Sequence, residues 1–118
     1  MSSRLDITHD TITSLKEFRA LPKFGPDDTR YPPYVGFLPA SLTPAAEAEL
    51  NTLVDQLIET LPDTPDKALV LKLFSQCLLW FAGYDTEDRE RICDYLVEIM
   101  DIIGLESSDG LLNNFMYG

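Results

Sequence analysis

The pattern of apolar positions between residues 43 and 82 predicts two consecutive helices. In the first, apolar side chains recur at three- and four-residue steps and form one stripe, which is typical of a helix with one buried face. The stripe consists of Ala46, Leu50, Leu53, Val54, Leu57, Ile58 and Leu61. Thr43-Pro44 begins this helix with a hydroxyl cap and a first-turn proline, and Pro62 ends it. Thr64-Pro65 repeats the start signal, so we expect a tight helical hairpin.

The second helix of this hairpin and the helix after it have different patterns. Residues 65–82 are apolar on almost every side, which predicts a helix at the centre of a bundle, with Gly83 as its C-cap. The next helix begins at a capping Asp85, has acids in its first turn and ends at Gly104. Its predicted buried positions are Ile92, Leu96, Ile99, Met100 and Ile103.

The two ends of the chain add shorter elements. A weaker helix is predicted from an N-cap at Asp10 to Pro22, and a short one from Leu111 to Tyr117. Residues 22–42 are rich in proline and aromatic residues, so we expect an extended strap packed on the helices rather than a free linker. The sequence therefore predicts one all-α domain over residues 1–118, a compact bundle of four main helices plus a short C-terminal helix.

The charge of the chain is divided unevenly and limits the ligand classes. The 118 residues carry a net charge of −11, and all of it lies beyond residue 39, where acids greatly outnumber bases. Phosphate binding depends on lysine and arginine, so this balance argues against nucleic acid or an anionic membrane as a partner and favours a basic protein. The chain begins without a secretory pattern, so a cytoplasmic location is expected.

Acidic side chains on two predicted helices form the candidate binding surface. The candidate partner-binding residues are Glu47, Asp55, Glu59, Glu90, Asp94, Glu98 and Asp101. Like charges at i,i+4 destabilise a helix by only about 0.2–0.5 kcal/mol per pair, so a face that serves solubility alone is also consistent with the pattern. The sequence leaves both interpretations open.

Residues suited to catalysis or metal binding are few. His9 is the one imidazole, and the chain contains no phosphate-binding loop, dinucleotide-binding glycine pattern or zinc-ligand spacing. Cys77 and Cys93 are expected to be reduced core residues. The acids after Asp85 lack the glycine and glutamate spacing of a calcium loop. We therefore assign no catalytic residue, no cofactor and no metal.

The C-terminal third resembles a known family. Residues 85–93 read DTEDRERIC, residues 100–114 read MDIIGLESSDGLLNN, and Tyr117-Gly118 follows. This signature is similar to that of a bacterial family of small acidic proteins with a domain of unknown function. The resemblance implies a bacterial cytosolic domain with no assigned activity. Within it, two interpretations stand side by side, a capped turn and a polar binding patch made of Ser107, Ser108, Asp109, Asn113 and Asn114.

Three functional hypotheses follow from the sequence. The first is an acidic domain that binds a basic bacterial protein, as an immunity or antitoxin partner does. The second is a small enzyme or enzyme subunit that uses the carboxylates of Asp85 and Asp88 with Ser107 or Ser108. The third is a self-associating structural domain, a homodimer with Trp80, Phe81 and Tyr84 exposed at its two-fold contact.

Overall fold

The structure, a computed structural model, describes residues 4–24 and 42–117 and is all-α. Within these residues the helices are α1 (His9–Ala20), α2 (Thr43–Thr60), α3 (Lys67–Phe81), α4 (Thr86–Ile103) and α5 (Leu111–Tyr117). The described residues form no strand, and their β-type pairing is limited to one isolated antiparallel bridge between Arg4 and Asp66. The predicted helical bundle is confirmed. The prediction of a strap falls largely on residues 25–41, which lie outside the described residues.

The N-terminal segment is fixed before α1 begins. Thr8 is the N-cap of α1, and its hydroxyl accepts a hydrogen bond from the Thr11 N–H at 3.2 Å. The prediction that Asp10 caps this helix is wrong, because the reciprocal bonds between Thr8 and Thr11 start the helix two residues earlier. Upstream, the Leu5 N–H donates to the Pro65 carbonyl at 2.7 Å, which ties the N-terminus to the loop between α2 and α3.

Helix α3 is only partly surrounded. It contacts α2, α4 and α5, yet Leu79 is 77% exposed on a side that also carries the exposed Lys72 and Gln76. The prediction of a helix at the centre of the bundle therefore holds only in part, because an apolar composition does not supply a neighbour for every face. The C-cap is Ala82 in a right-handed conformation and not Gly83, so the prediction of Gly83 as the C-cap is wrong.

Helix α4 follows its sequence pattern closely. The five positions predicted to be buried are all buried. Gly104 ends the helix in the left-handed region, with φ of 77°, as its lack of a Cβ allows. Asp85 occupies the N-cap position, but its side chain makes no capping hydrogen bond. Helix α4 contacts α1, α3 and α5 and so connects the first helix to the last.

Candidate docking groove between α1 and α4

A groove of about 490 Å³ runs between α1 and α4. Helix α1 lines it with Ser14, Glu17, Phe18 and Leu21. Helix α4 lines it with Glu98, Asp101 and Ile102. Because residues three or four apart lie on one side of a helix, each helix contributes a single face to the groove.

The groove has an apolar floor and an acidic rim. Phe18 belongs to the buried core, Ile102 is half-buried, and Leu21 is 57% exposed. Three exposed carboxylates stand beside this floor, Glu17 from α1 and Glu98 and Asp101 from α4, and none of the described lining residues is a lysine or arginine. Such a surface suits an apolar side chain that has cationic neighbours.

Lys23 holds the end of α1 beside this groove. Lys23 is buried, with 3% of its surface exposed. Its ammonium group donates hydrogen bonds to the carbonyls of Arg19 at 3.0 Å and Leu21 at 2.7 Å. These bonds satisfy the helix C-terminus, where a positive charge is favourable. Burial lowers the pKa of Lys23 below its ordinary 10.5, and the carboxylates of Glu47 and Glu98 oppose part of that decrease.

Phe24 fixes the next residue of the chain in the core. It is 2% exposed and stacks on Phe81 with 5.4 Å between ring centroids. Its N–H donates to the Tyr95 hydroxyl at 3.0 Å, and its φ of 64° lies in the left-handed region, which is unusual for a bulky residue. The end of α1 is therefore held against α3 and α4, and this fixes the position of α1 beside α4 on the other side of the groove.

We expect Tyr95→Phe to lower the free energy of unfolding by about 1 kcal/mol, because the buried Phe24 N–H loses its acceptor. Tyr117→Phe is the matched control, since Tyr117 is 76% exposed and should tolerate the change. Urea denaturation of both variants measures the difference. Equal stabilities would contradict the structural role given to the Tyr95 hydroxyl.

Two of the predicted partner-binding acids contact bases within the chain. Asp55 receives a bidentate pair of hydrogen bonds from Arg19, at 2.5 Å from Nε and 3.1 Å from Nη2. Glu47 accepts a bond from the Lys23 backbone N–H at 3.2 Å and lines a second, smaller groove on α2 of about 290 Å³. The acidic face of α2 thus holds the N-terminal part of the chain.

The remaining predicted acids are distributed along two helices. Glu59 on α2 and Glu90 on α4 are exposed, and Asp94 is half-buried. Only Glu98 and Asp101 line the larger groove, where they are joined by Glu17. Glu17 lies in the part of the chain with no net charge, and the sequence does not show that its helix packs beside α4.

The predicted polar patch lies at the start of α5. The hydroxyl of Ser107 accepts from the Asp109 N–H at 3.1 Å, and that of Ser108 accepts from the Leu112 N–H at 3.4 Å. Asp109 pairs with Lys67 at 2.7 Å. Asn113 and Asn114 are exposed on the helix. Three of the five residues thus shape and hold a capped turn.

The residues proposed for the other two hypotheses have different environments. Asp85 is exposed, whereas Asp88 is buried at 1% exposure, and neither lines the two grooves described above. In the expected dimer contact, Phe81 is fully buried, and Trp80 stacks on Tyr84 with 5.2 Å between ring centroids.

The two cysteines are buried and free. Burial, with a smaller effect of the Glu49 charge, raises the pKa of Cys77 to about 12. Burial, together with the charge of Asp94, raises the pKa of Cys93 to about 11. Both thiols are therefore protonated at neutral pH. Within residues 4–24 and 42–117, no group of three histidine, cysteine, aspartate or glutamate side chains is placed to hold a metal ion.

The helical bundle and its groove define a small all-α domain. The chain belongs to the DUF4844 family, a domain of unknown function, whose family model matches residues 6–118. The resemblance found in the C-terminal third is therefore confirmed as membership in an uncharacterised family, and the match extends over all five described helices.

A solved structure has a similar fold. It is the crystal structure of a DUF3571 family protein from Acinetobacter baumannii AYE, with a TM-score of 0.78 and 28% sequence identity. The similarity covers 92% of this chain and 89% of that chain. Comparison with curated proteins gives no match. No helix in the described part of the chain is both long and apolar enough to cross a membrane.

Proposed function

We propose that this protein is a binding domain that recognises a basic protein through its acidic surface. The observation that carries the proposal is the groove between α1 and α4, with its apolar floor and three exposed carboxylates. Electrostatic complementarity of this kind steers association and selects partners by charge. The net charge of −11 adds a long-range attraction for basic proteins.

Contacts within the chain support the same chemistry. Arg19 on α1 is bound by Asp55 on α2 through two hydrogen bonds. Lys23 lies close enough to Glu47 and Glu98 for both carboxylates to act on its pKa. An acid of α2 thus already binds a cationic side chain of α1, and acids of α2 and α4 lie close enough to Lys23 to favour its charged form.

A partner of the toxin class fits this proposal. Toxins that cut nucleic acids carry basic surfaces, because phosphate binding depends on lysine and arginine. An acidic domain that covers such a surface neutralises the toxin, as an immunity or antitoxin protein does. The similarity to a protein of Acinetobacter baumannii supports a bacterial setting for this partnership.

The proposal is tested by affinity capture from a lysate of the organism that encodes the protein, at about 150 mM salt. We expect the wild type to retain a basic protein and the double variant Glu17→Lys/Asp101→Lys to lose it. The double variant Glu87→Lys/Glu106→Lys is the control, since it changes the same charge at exposed sites outside the groove. The proposal would be contradicted if the wild type retains no basic protein, or if the retained partner has no toxic activity and is encoded far from this gene.

A further inference from the structure

We propose that the groove between α1 and α4 binds a short basic segment of the partner, with one apolar side chain inserted between flanking lysine or arginine side chains. This inference rests on the proposed function and names the part of the partner that is recognised.

The floor of the groove accounts for the apolar side chain. Leu21 is 57% exposed, although it lies beside the buried ring of Phe18 and the half-buried Ile102. An inserted apolar side chain would remove this leucine surface from water, which is favourable in proportion to the area buried. The lining residues of α1 span two helical turns, about 10 Å, which matches about three residues of an extended peptide.

The rim accounts for the flanking cations. Glu17 stands on the α1 side of the floor, and Glu98 and Asp101 stand on the α4 side. Lys23 lies close enough to Glu98 for the two charges to interact, and Lys23 is buried just after the end of α1. An apolar side chain on the floor therefore places its two neighbours next to carboxylates on opposite sides.

The chain contains matched controls for both parts of the site. Leu79 is a second exposed leucine, 77% exposed, on the side of α3 that carries Lys72 and Gln76. Glu106 is an exposed acid that follows α4 and does not line the groove. Changes at Leu79 and Glu106 alter hydrophobicity and charge to the same extent as changes at Leu21 and Asp101.

The experiment measures binding of a fluorescein-labelled peptide by fluorescence anisotropy. The probe has one central leucine with two lysines on each side, and two further peptides replace the leucine by serine or the lysines by glutamate. We expect the leucine peptide to bind at least about fivefold more tightly than the serine peptide. Leu21→Ser should weaken binding of the leucine peptide about fivefold, and Asp101→Lys should weaken it more. Leu79→Ser and Glu106→Lys should leave this binding unchanged.

Each outcome separates this inference from the proposed function. Weaker binding of the leucine peptide by the Leu21 and Asp101 variants, but not by the control variants, supports the inference. Equal binding of the leucine and serine peptides, or equal effects of Leu21→Ser and Leu79→Ser, overturns it and leaves charge-based recognition of a basic partner intact. Absence of binding by any lysine peptide at low salt overturns both.

Discussion

Phe24→Ala is expected to lower the free energy of unfolding by about 3 kcal/mol, a typical cost of truncating a buried phenylalanine. The side chain lies in the core, with its ring centroid 5.4 Å from that of Phe81 and 5.1 Å from that of Tyr95. Its removal leaves a cavity where the chain leaves α1 and meets α3 and α4. Denaturant unfolding of the variant and the wild type measures the change.

A glycine at the same position separates packing from backbone conformation. Glycine ordinarily destabilises a site by about 0.5–1 kcal/mol relative to alanine, but it has no penalty at positive φ. Because Phe24 has a φ of 64°, we expect Phe24→Gly to be at least as stable as Phe24→Ala. Leu79→Ala serves as the exposed control and should change stability by less than about 0.5 kcal/mol. A glycine variant clearly less stable than the alanine variant would refute the left-handed conformation.

The second large effect is expected at alkaline pH and arises from Cys77. Burial raises the pKa of this thiol to about 12 from an ordinary 9.0, so it stays protonated in the folded protein while the unfolded chain ionises. The folded state then binds more protons, so its stability is full below pH 9 and decreases as the pH rises towards 12. At pH 10.5 this one thiol should cost about 2 kcal/mol of stability.

Cys77→Ala isolates this contribution from other groups that titrate in the same range. Lys23, whose pKa is lowered, acts in the opposite direction, but it is present in both proteins and cancels in the comparison. We expect the free energy of unfolding to decrease more steeply between pH 8 and pH 10.5 in the wild type than in the variant. Parallel pH profiles would show that the Cys77 thiol is not shielded from ionisation in the folded protein.

The sequence predicts some helices of this fold better than others, for physical reasons. The sequence predicts most of the buried face of α4, because a clear 3.6-residue pattern and the glycine at its end determine it locally, but it does not predict the burial of Asp88 and Tyr95. The exposed face of α3 is not predictable from the sequence, because it depends on which helices pack against α3. Leu79 has the side chain of a core residue, but it lies on a side of α3 that no other helix of the described residues covers.

The groove was only partly predictable, since it depends on tertiary contacts. Glu98 and Asp101 are predictable because they belong to an acidic helix face. Glu17 and Leu21 are not, because nothing in the sequence shows that α1 packs beside α4. The contact between Arg19 and Asp55 was missed for the same reason, since these residues are 36 positions apart.

The aromatic contacts of the core give this protein a natural optical reporter. Trp80 is the one tryptophan of the chain, and its ring is in contact with Phe81, at 4.8 Å between centroids. Phe81 stacks on Phe24, Phe24 meets Tyr95, and Tyr95 meets Phe18 at 6.1 Å. Four further rings, the last of them Phe18, thus join the indole to the floor of the groove. The intrinsic fluorescence of Trp80 therefore reports on the aromatic packing behind that floor without an attached label.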